Sequence, residues 1–173
     1  MNKFSIINQN TLINIGNLMS KIEINSPVPE LTLEGTNNIT FSISNYVGKN
    51  LVIYFYPKDS TPGCTNESID FKDNYDIFQN LNTEIFGISR DSLKSHEKFK
   101  AKYSFPFELL SDADEIACNL FDVIKMKNMY GKKVRGIERS TFLINTEGKL
   151  INEWRGVKVN GHVQELIEFL QNQ

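Results

Sequence analysis

Cys64 is the residue of this chain whose placement points most directly to chemistry. It follows an apolar run, Leu51-Val52-Ile53-Tyr54-Phe55-Tyr56, and a loop dense in turn formers, Lys58-Asp59-Ser60-Thr61-Pro62-Gly63. It then opens a stretch in which Ile69, Phe71, Tyr75, Phe78 and Leu81 recur at or close to helical steps. A cysteine at a helix start meets unpaired amide N–H groups and the positive end of the helix dipole, and both favour an anion. The thiolate, not the thiol, is the nucleophile. A lone cysteine is more often buried and inert. Here Asp59, Ser60, Thr61 and Thr65 flank it, and that polar setting favours the reactive alternative.

Several elements must position such a residue. The run 51–56 is rich in β-branched and aromatic residues and predicts a strand buried on both faces, ended by Pro57. Upstream, Pro27 and Pro29 mark an extended entry segment. Leu31 to Leu33 and Ile39 to Ile43 alternate apolar and polar residues, as short edge strands do. Downstream, Glu84 to Ser89 predicts a second buried strand, Ser92 to Tyr103 a helix and Phe107 to Leu110 a short strand. Asp112 to Phe121 predicts a helix with acidic residues in its first turn, where the dipole favours them. Ser140 to Asn145 and Leu150 to Val157 form a hairpin across Thr146-Glu147-Gly148, and Gly161 to Leu170 is a closing amphipathic helix. This order argues the α/β class, a thioredoxin-like sandwich with a central mixed sheet flanked by helices.

The 173 residues suit one domain with one core, without internal repeats or an interdomain linker. A net charge of −2 gives no general attraction to nucleic acid or an anionic membrane. The densest basic run, Lys125 to Lys133, is interrupted by Met and Asn and reads as a solvated face. No apolar stretch is long enough to predict a transmembrane helix, and no signal peptide is expected. Two distant cysteines make neither a disulfide framework, a Cys-x-x-Cys motif nor a zinc-ligand set, so a reducing cytoplasm is the expected setting. His96 and His162 lack Cys or carboxylate partners at ligand spacing and read as surface or capping residues. No metal and no cofactor is expected.

Pro57-Lys58-Asp59-Ser60-Thr61-Pro62-Gly63-Cys64 resembles the active-site pattern Pro-x-x-x-Thr-x-x-Cys of the peroxiredoxins. Tyr54-Phe55-Tyr56, Thr65 and Glu67 are similar to one branch, the bacterioferritin comigratory protein or Q-type peroxiredoxins. So are Met129-Tyr130-Gly131-Lys132, Gly136-Ile137-Glu138-Arg139-Ser140-Thr141-Phe142 and the stretch from Trp154 to His162. Several blocks in one order, spread from about Ser20 to Leu170, carry far more weight than one motif. The resemblance implies a thiol peroxidase that reduces hydrogen peroxide and organic hydroperoxides in antioxidant defence. Cys64 would attack the terminal peroxide oxygen and become a sulfenic acid. Thr61 would accept from the peroxide while contacting the thiolate. Arg139, which alone would read as a surface partner of Glu138, would stabilise thiolate and developing charge. Pro57 and Pro62 would shape the loop, and the Gly63 and Cys64 N–H groups would donate.

The positions where Q-type relatives carry a resolving cysteine are Ile69 and Lys100 here. Cys118, between Ala117 and Leu120, reads as a core residue. A one-cysteine enzyme is expected, reduced by thioredoxin or by glutaredoxin with glutathione, and monomeric or weakly dimeric. A disulfide reductase would need a second Cys near Cys64, and a cysteine phosphatase an Arg at position 70, which is Asp. A non-catalytic thioredoxin-like binder, redox sensor or chaperone is the remaining rival.

Residues 1–19 read as an N-terminal extension without the periodicity of a packed element, and residues 20–173 as the domain. Met19 is followed by Ser20-Lys21-Ile22, like a fresh start. A chain beginning at Met19 is expected to keep its melting temperature and activity. A large loss of either would show that the extension packs on the domain or completes an interface.

Overall fold

The computed structural model describes residues 21–173; the expected extension, 1–19, lies outside them. The elements run β1 (Thr32–Gly35), β2 (Thr40–Ser42), β3 (Asn50–Phe55), α1 (Pro62–Asp73), α2 (Tyr75–Asn80), β4 (Thr83–Ser89), α3 (Leu93–Tyr103) and β5 (Glu108–Ser111). Then follow α4 (Ile116–Leu120), β6 (Ile124–Met129), β7 (Lys132–Ile137), β8 (Ser140–Ile144), β9 (Leu150–Arg155) and α5 (His162–Gln171).

The apolar run at 51–56 lies at the centre of the fold because both its faces are covered. β3 pairs in parallel with β4 and antiparallel with β8, within a seven-stranded mixed sheet of order β2-β1-β5-β4-β3-β8-β9. Alternation along β3 sends Leu51, Ile53 and Phe55 into one core and Val52 and Tyr54 into the other. Helices α1, α2, α3 and α5 contribute Phe71, Phe78, Phe99 and Leu166 to the Tyr54 side, while α4 contributes Ala117 and Cys118 to the Phe55 side. Gly87 on β4 makes room for an aromatic ring. A Cβ there would sit 2.7 Å from Tyr54 Cζ and 2.8 Å from its hydroxyl. This is the thioredoxin-like sandwich expected from the order of elements. Among the described residues, no helix is long and apolar enough to cross a membrane.

Three expectations about the elements are corrected. The helical stretch after Cys64 is two helices. The chain restarts at Asn74, whose side-chain amide donates to Asp70 O (2.9 Å) and whose carbonyl accepts from the Ile77 and Phe78 N–H groups. The helix expected over 112–121 shrinks to five residues. Glu115 is left-handed (φ 58°), and Asp112 caps from outside by accepting from the Ala117 and Cys118 N–H groups at 3.1 and 2.7 Å. The basic run at 125–133, read as a solvated face, is largely exposed and mostly an antiparallel hairpin, β6–β7, forming its own small sheet with Tyr130 exposed at the tip. Arg135 at its base pairs with Glu115, which also holds Arg90. Only β2 of the first two strands is an edge, since β1 lies between β2 and β5.

Both histidines, expected in surface or capping roles, are buried. His162 begins α5, with Nε2 2.8 Å from Thr141 Oγ1. Burial pushes its pKa down from 6.5 to about 4; Glu165 opposes the shift and Arg139 adds to it. The unfolded chain therefore binds the extra proton between pH 6.5 and 4 while the folded chain does not. Stability from this residue is full above pH 6.5 and is lost as pH falls towards 4, on the order of 3 kcal/mol at most. In urea unfolding, His162→Gln should lose stability less steeply than wild type between pH 7 and 4. Equal slopes would show that His162 does not titrate in that window.

Candidate active site

The loop after β3 delivers Cys64 to the first turn of α1. Thr61 takes the N-cap position in an extended conformation (φ −81°, ψ 153°), and Pro62 follows at the start of the helix, where its missing N–H costs nothing. Cys64 is the third helical residue and is 1% exposed, so its polar sequence neighbours do not keep it at the surface. It packs in the core that contains Tyr54, whose hydroxyl lies 2.9 Å from Ser68 Oγ.

One turn further, Glu67 lies on the same helix face as Cys64. Arg139 reaches both from the segment just before β8. Its Nη2–H donates to Cys64 Sγ at 3.5 Å, and its Nη1–H donates to Glu67 Oε2 at 2.5 Å. The Arg139 carbonyl accepts from the Val157 N–H (2.9 Å), and the preceding Glu138 N–H donates to Val123 O (2.7 Å). These bonds fix the backbone from which the guanidinium extends. Gly63 clears its path, since a Cβ there would stand 3.1 Å from Arg139 Nη2. The partner of Arg139 is thus Glu67, not the neighbouring Glu138 that sequence proximity suggested.

Glu67 is fully buried, and its Oε1 has no hydrogen-bond partner among the described residues. Burial raises its pKa from 4.5 to about 7; Arg139 offsets part of that rise and Asp70 adds slightly to it. Lys127 of β6 donates from Nζ to Ile137 O. Its pKa is lowered by burial and by repulsion from Arg139, partly countered by Glu138 and Cys64. The hairpin base therefore belongs to the electrostatic surroundings of the site.

Of the four residues singled out from sequence, Cys64 and Arg139 are in direct contact. Pro57 is half-buried at the loop entry. The Thr61 hydroxyl donates to Lys58 O at 2.8 Å and not to Cys64. Its oxygen lone pairs stay available to accept a hydrogen bond. Sequence reasoning placed Glu67 only within the resemblance. A carboxylate three residues after a helix-start cysteine was the available signal for its place here.

Cys118 lies on the other side of the sheet. Its core contains Phe55 and Phe142, while Cys64 shares a core with Tyr54 and Leu143. Burial and the neighbouring Asp112 push the Cys118 thiol well up, which favours its protonated form.

A thioredoxin-like sheet that presents a cysteine at a helix start, against a fixed arginine, defines a thiol-based oxidoreductase. Residues 24–152 match the AhpC/TSA family. Peroxiredoxin Bcp of Bacillus subtilis is 50% identical over 151 residues, covering 87% of this chain and 96% of the relative. Peroxiredoxin Bcp of Xanthomonas campestris is 49% identical over 150 residues, covering 87% and 94%. A solved Xylella fastidiosa PrxQ cysteine-to-serine variant superposes with a TM-score of 0.84 at 42% identity, covering 88% of this chain and 98% of that one. The Xanthomonas bacterioferritin comigratory protein, solved in a study of its alkyl peroxide reduction, gives a TM-score of 0.78 at 50% identity, covering 82% and 90%. The chain belongs to the AhpC/TSA family, among the Bcp or Q-type peroxiredoxins, which are thiol-dependent peroxidases.

The two cysteines face different cores, and a disulfide needs Cα atoms within about 7 Å. Peroxide-treated protein should show no Cys64–Cys118 bond in non-reducing peptide maps, and Cys118→Ser should keep full turnover. A mapped internal bond, with turnover abolished in Cys118→Ser, would make Cys118 a resolving residue.

Proposed function

We propose that Cys64 is the peroxidatic cysteine of an enzyme reducing hydrogen peroxide and organic hydroperoxides. The observation that carries this reading is Arg139 bridging Cys64 Sγ and buried Glu67. The thiolate sulfur attacks the terminal peroxide oxygen. The O–O bond breaks and an S–O bond forms. The leaving oxygen takes up a proton and departs as water or alcohol, and Cys64 is left as a sulfenic acid. Arg139, held in place before reaction, stabilises the thiolate and the charge developing on the departing oxygen. Thr61 accepts from the peroxide O–H through the lone pairs left free by its bond to Lys58 O. Pro57 sets the bend of the loop into α1 and excludes water from one side.

Resolution falls to an external thiol: thioredoxin, or glutathione with glutaredoxin. That thiol condenses with the sulfenic acid to a mixed disulfide and releases water, and a second thiol frees Cys64. Two features support a one-cysteine cycle. Cys118 is on the far side of the sheet. At position 100, a resolving-cysteine position in Q-type relatives, Lys100 instead donates to Phe105 O (2.7 Å) and Phe107 O (2.9 Å), tying the end of α3 to the chain entering β5. Residues 20–173 act as a single cytoplasmic domain, monomeric or weakly dimeric.

One equivalent of hydrogen peroxide should add a single oxygen, mapped to Cys64 by mass spectrometry, and Cys64→Ser should abolish peroxide consumption. Preferential oxidation of Cys118 would overturn the assignment. Arg139→Lys keeps the charge but loses the planar fork that serves two acceptors. Both Arg139→Lys and Arg139→Ala should slow Cys64 oxidation at least about tenfold, or ~1.4 kcal/mol of transition-state stabilisation. Unchanged rates in both would remove Arg139 from the mechanism.

A further inference from the structure

Within the loop between β3 and α1, the Asp59 side chain turns into the protein. Lys58 and Ser60 are exposed, and Ser60 holds a left-handed backbone (φ 60°), whereas Asp59 is 6% exposed. The Asp59 N–H donates to Asp91 Oδ2 at 3.0 Å. Its carboxylate accepts from Tyr56 Oη–H at 2.6 Å and from Ser95 Oγ–H at 2.7 Å. Burial pushes the Asp59 carboxyl up. The hydrogen bond and charge of His96, with the Tyr56 and Ser95 bonds, outweigh this and hold it below 3.8, so it is ionised.

His96 of α3 completes the cluster. It is fully buried, with Nδ1 2.8 Å from Asp59 Oδ2 and Nε2 3.0 Å from Leu110 O. The ring is thus held from both sides, by the loop carboxylate at Nδ1 and by the Leu110 carbonyl at Nε2. Tyr56 Oη, 3.4 Å from Nδ1, has its hydrogen directed to Asp59 and offers the ring no donor. Asp91 does not reach the ring. Its Oδ2 accepts from Ser89 Oγ–H at 2.5 Å and from the Asp59 N–H.

We propose that His96 is a positioning residue of the peroxidatic site: a fully buried ring, itself held on Leu110 O, that clamps Asp59 and so holds the loop 57–63 in the shape that presents Thr61 and the first turn of α1. The proposal rests on the reading of Cys64 as the peroxidatic cysteine. Removing one member of a buried hydrogen-bonded pair leaves the other without its partner. Here the group left behind, Asp59, is five residues from Cys64, in the loop that sets the peroxide-facing geometry.

The test, on the full chain, times Cys64 oxidation by hydrogen peroxide and Cys64 alkylation by iodoacetamide in wild type, Asp59→Asn and His96→Gln. Alkylation requires only the thiolate, whereas peroxide reduction also requires the loop geometry. The peroxide rate should fall by about tenfold or more while alkylation changes little. Equal loss of both rates, or no loss of the peroxide rate, would mean a merely structural cluster. Absence of Cys64 oxidation in wild type would instead defeat the reading of Cys64 itself.

Discussion

A single guanidinium between a sulfur and a buried carboxyl is the constraint on which the site depends. Glu67 has no exit to solvent, and without Arg139 it would face its own burial alone. Losing one partner of such a pair costs about 3–5 kcal/mol. Several otherwise unrelated features serve this contact. Gly63 has no side chain to block the guanidinium. The Val157 N–H holds the Arg139 carbonyl as the chain leaves β9. The antiparallel register of β8 on β3, pairing Ser140 with Phe55, brings the end of the chain's central strand beside the residue that follows Arg139. Sheet register is strongly specified wherever both faces are buried, since a one-residue slip would exchange the two cores.

The fold was readable because its strongest signals are local. A two-sided apolar run, helical periodicities and a hairpin turn state their own element types, and the alternation of strands and helices states the class. Cys64 was readable for the same reason: a strand, a turn-rich loop and a helix start adjoin it in sequence. What escaped depends on partners distant along the chain. His96 looks like a surface residue until Asp59, 37 positions away, is folded against it. Lys127 looks like part of a solvated basic face until its ammonium is seen on the carbonyl of Ile137, across the β6–β7 hairpin. Arg139 has an acidic neighbour at 138, and only the fold shows that it pairs with Glu67 instead, 72 positions away.

Two buried acids five and three residues from Cys64 on either side show how hydrogen bonds decide ionisation. Both pay for burial. Asp59 accepts from Tyr56, Ser95 and His96 and stays below its ordinary value. Glu67 has one partner among the described residues, where its Oε1 is unsatisfied, and rises to about 7. Counting donors is what separates them. Asp59 is thereby suited to a fixed structural charge, and Glu67 to one that responds to its surroundings.

That responsiveness bears on the sulfur. Arg139 is the cation in contact with both Cys64 and Glu67, so a negative charge on either weakens the hold of the guanidinium on the other. With Glu67 titrating at about 7, the neutral range finds the carboxyl divided between its two states. The one cation serves both acceptors, so protonation of the carboxyl leaves the guanidinium free to serve the sulfur. Burial of Glu67, with no second donor among the described residues, is what keeps its charge from permanently holding the guanidinium it shares with Cys64.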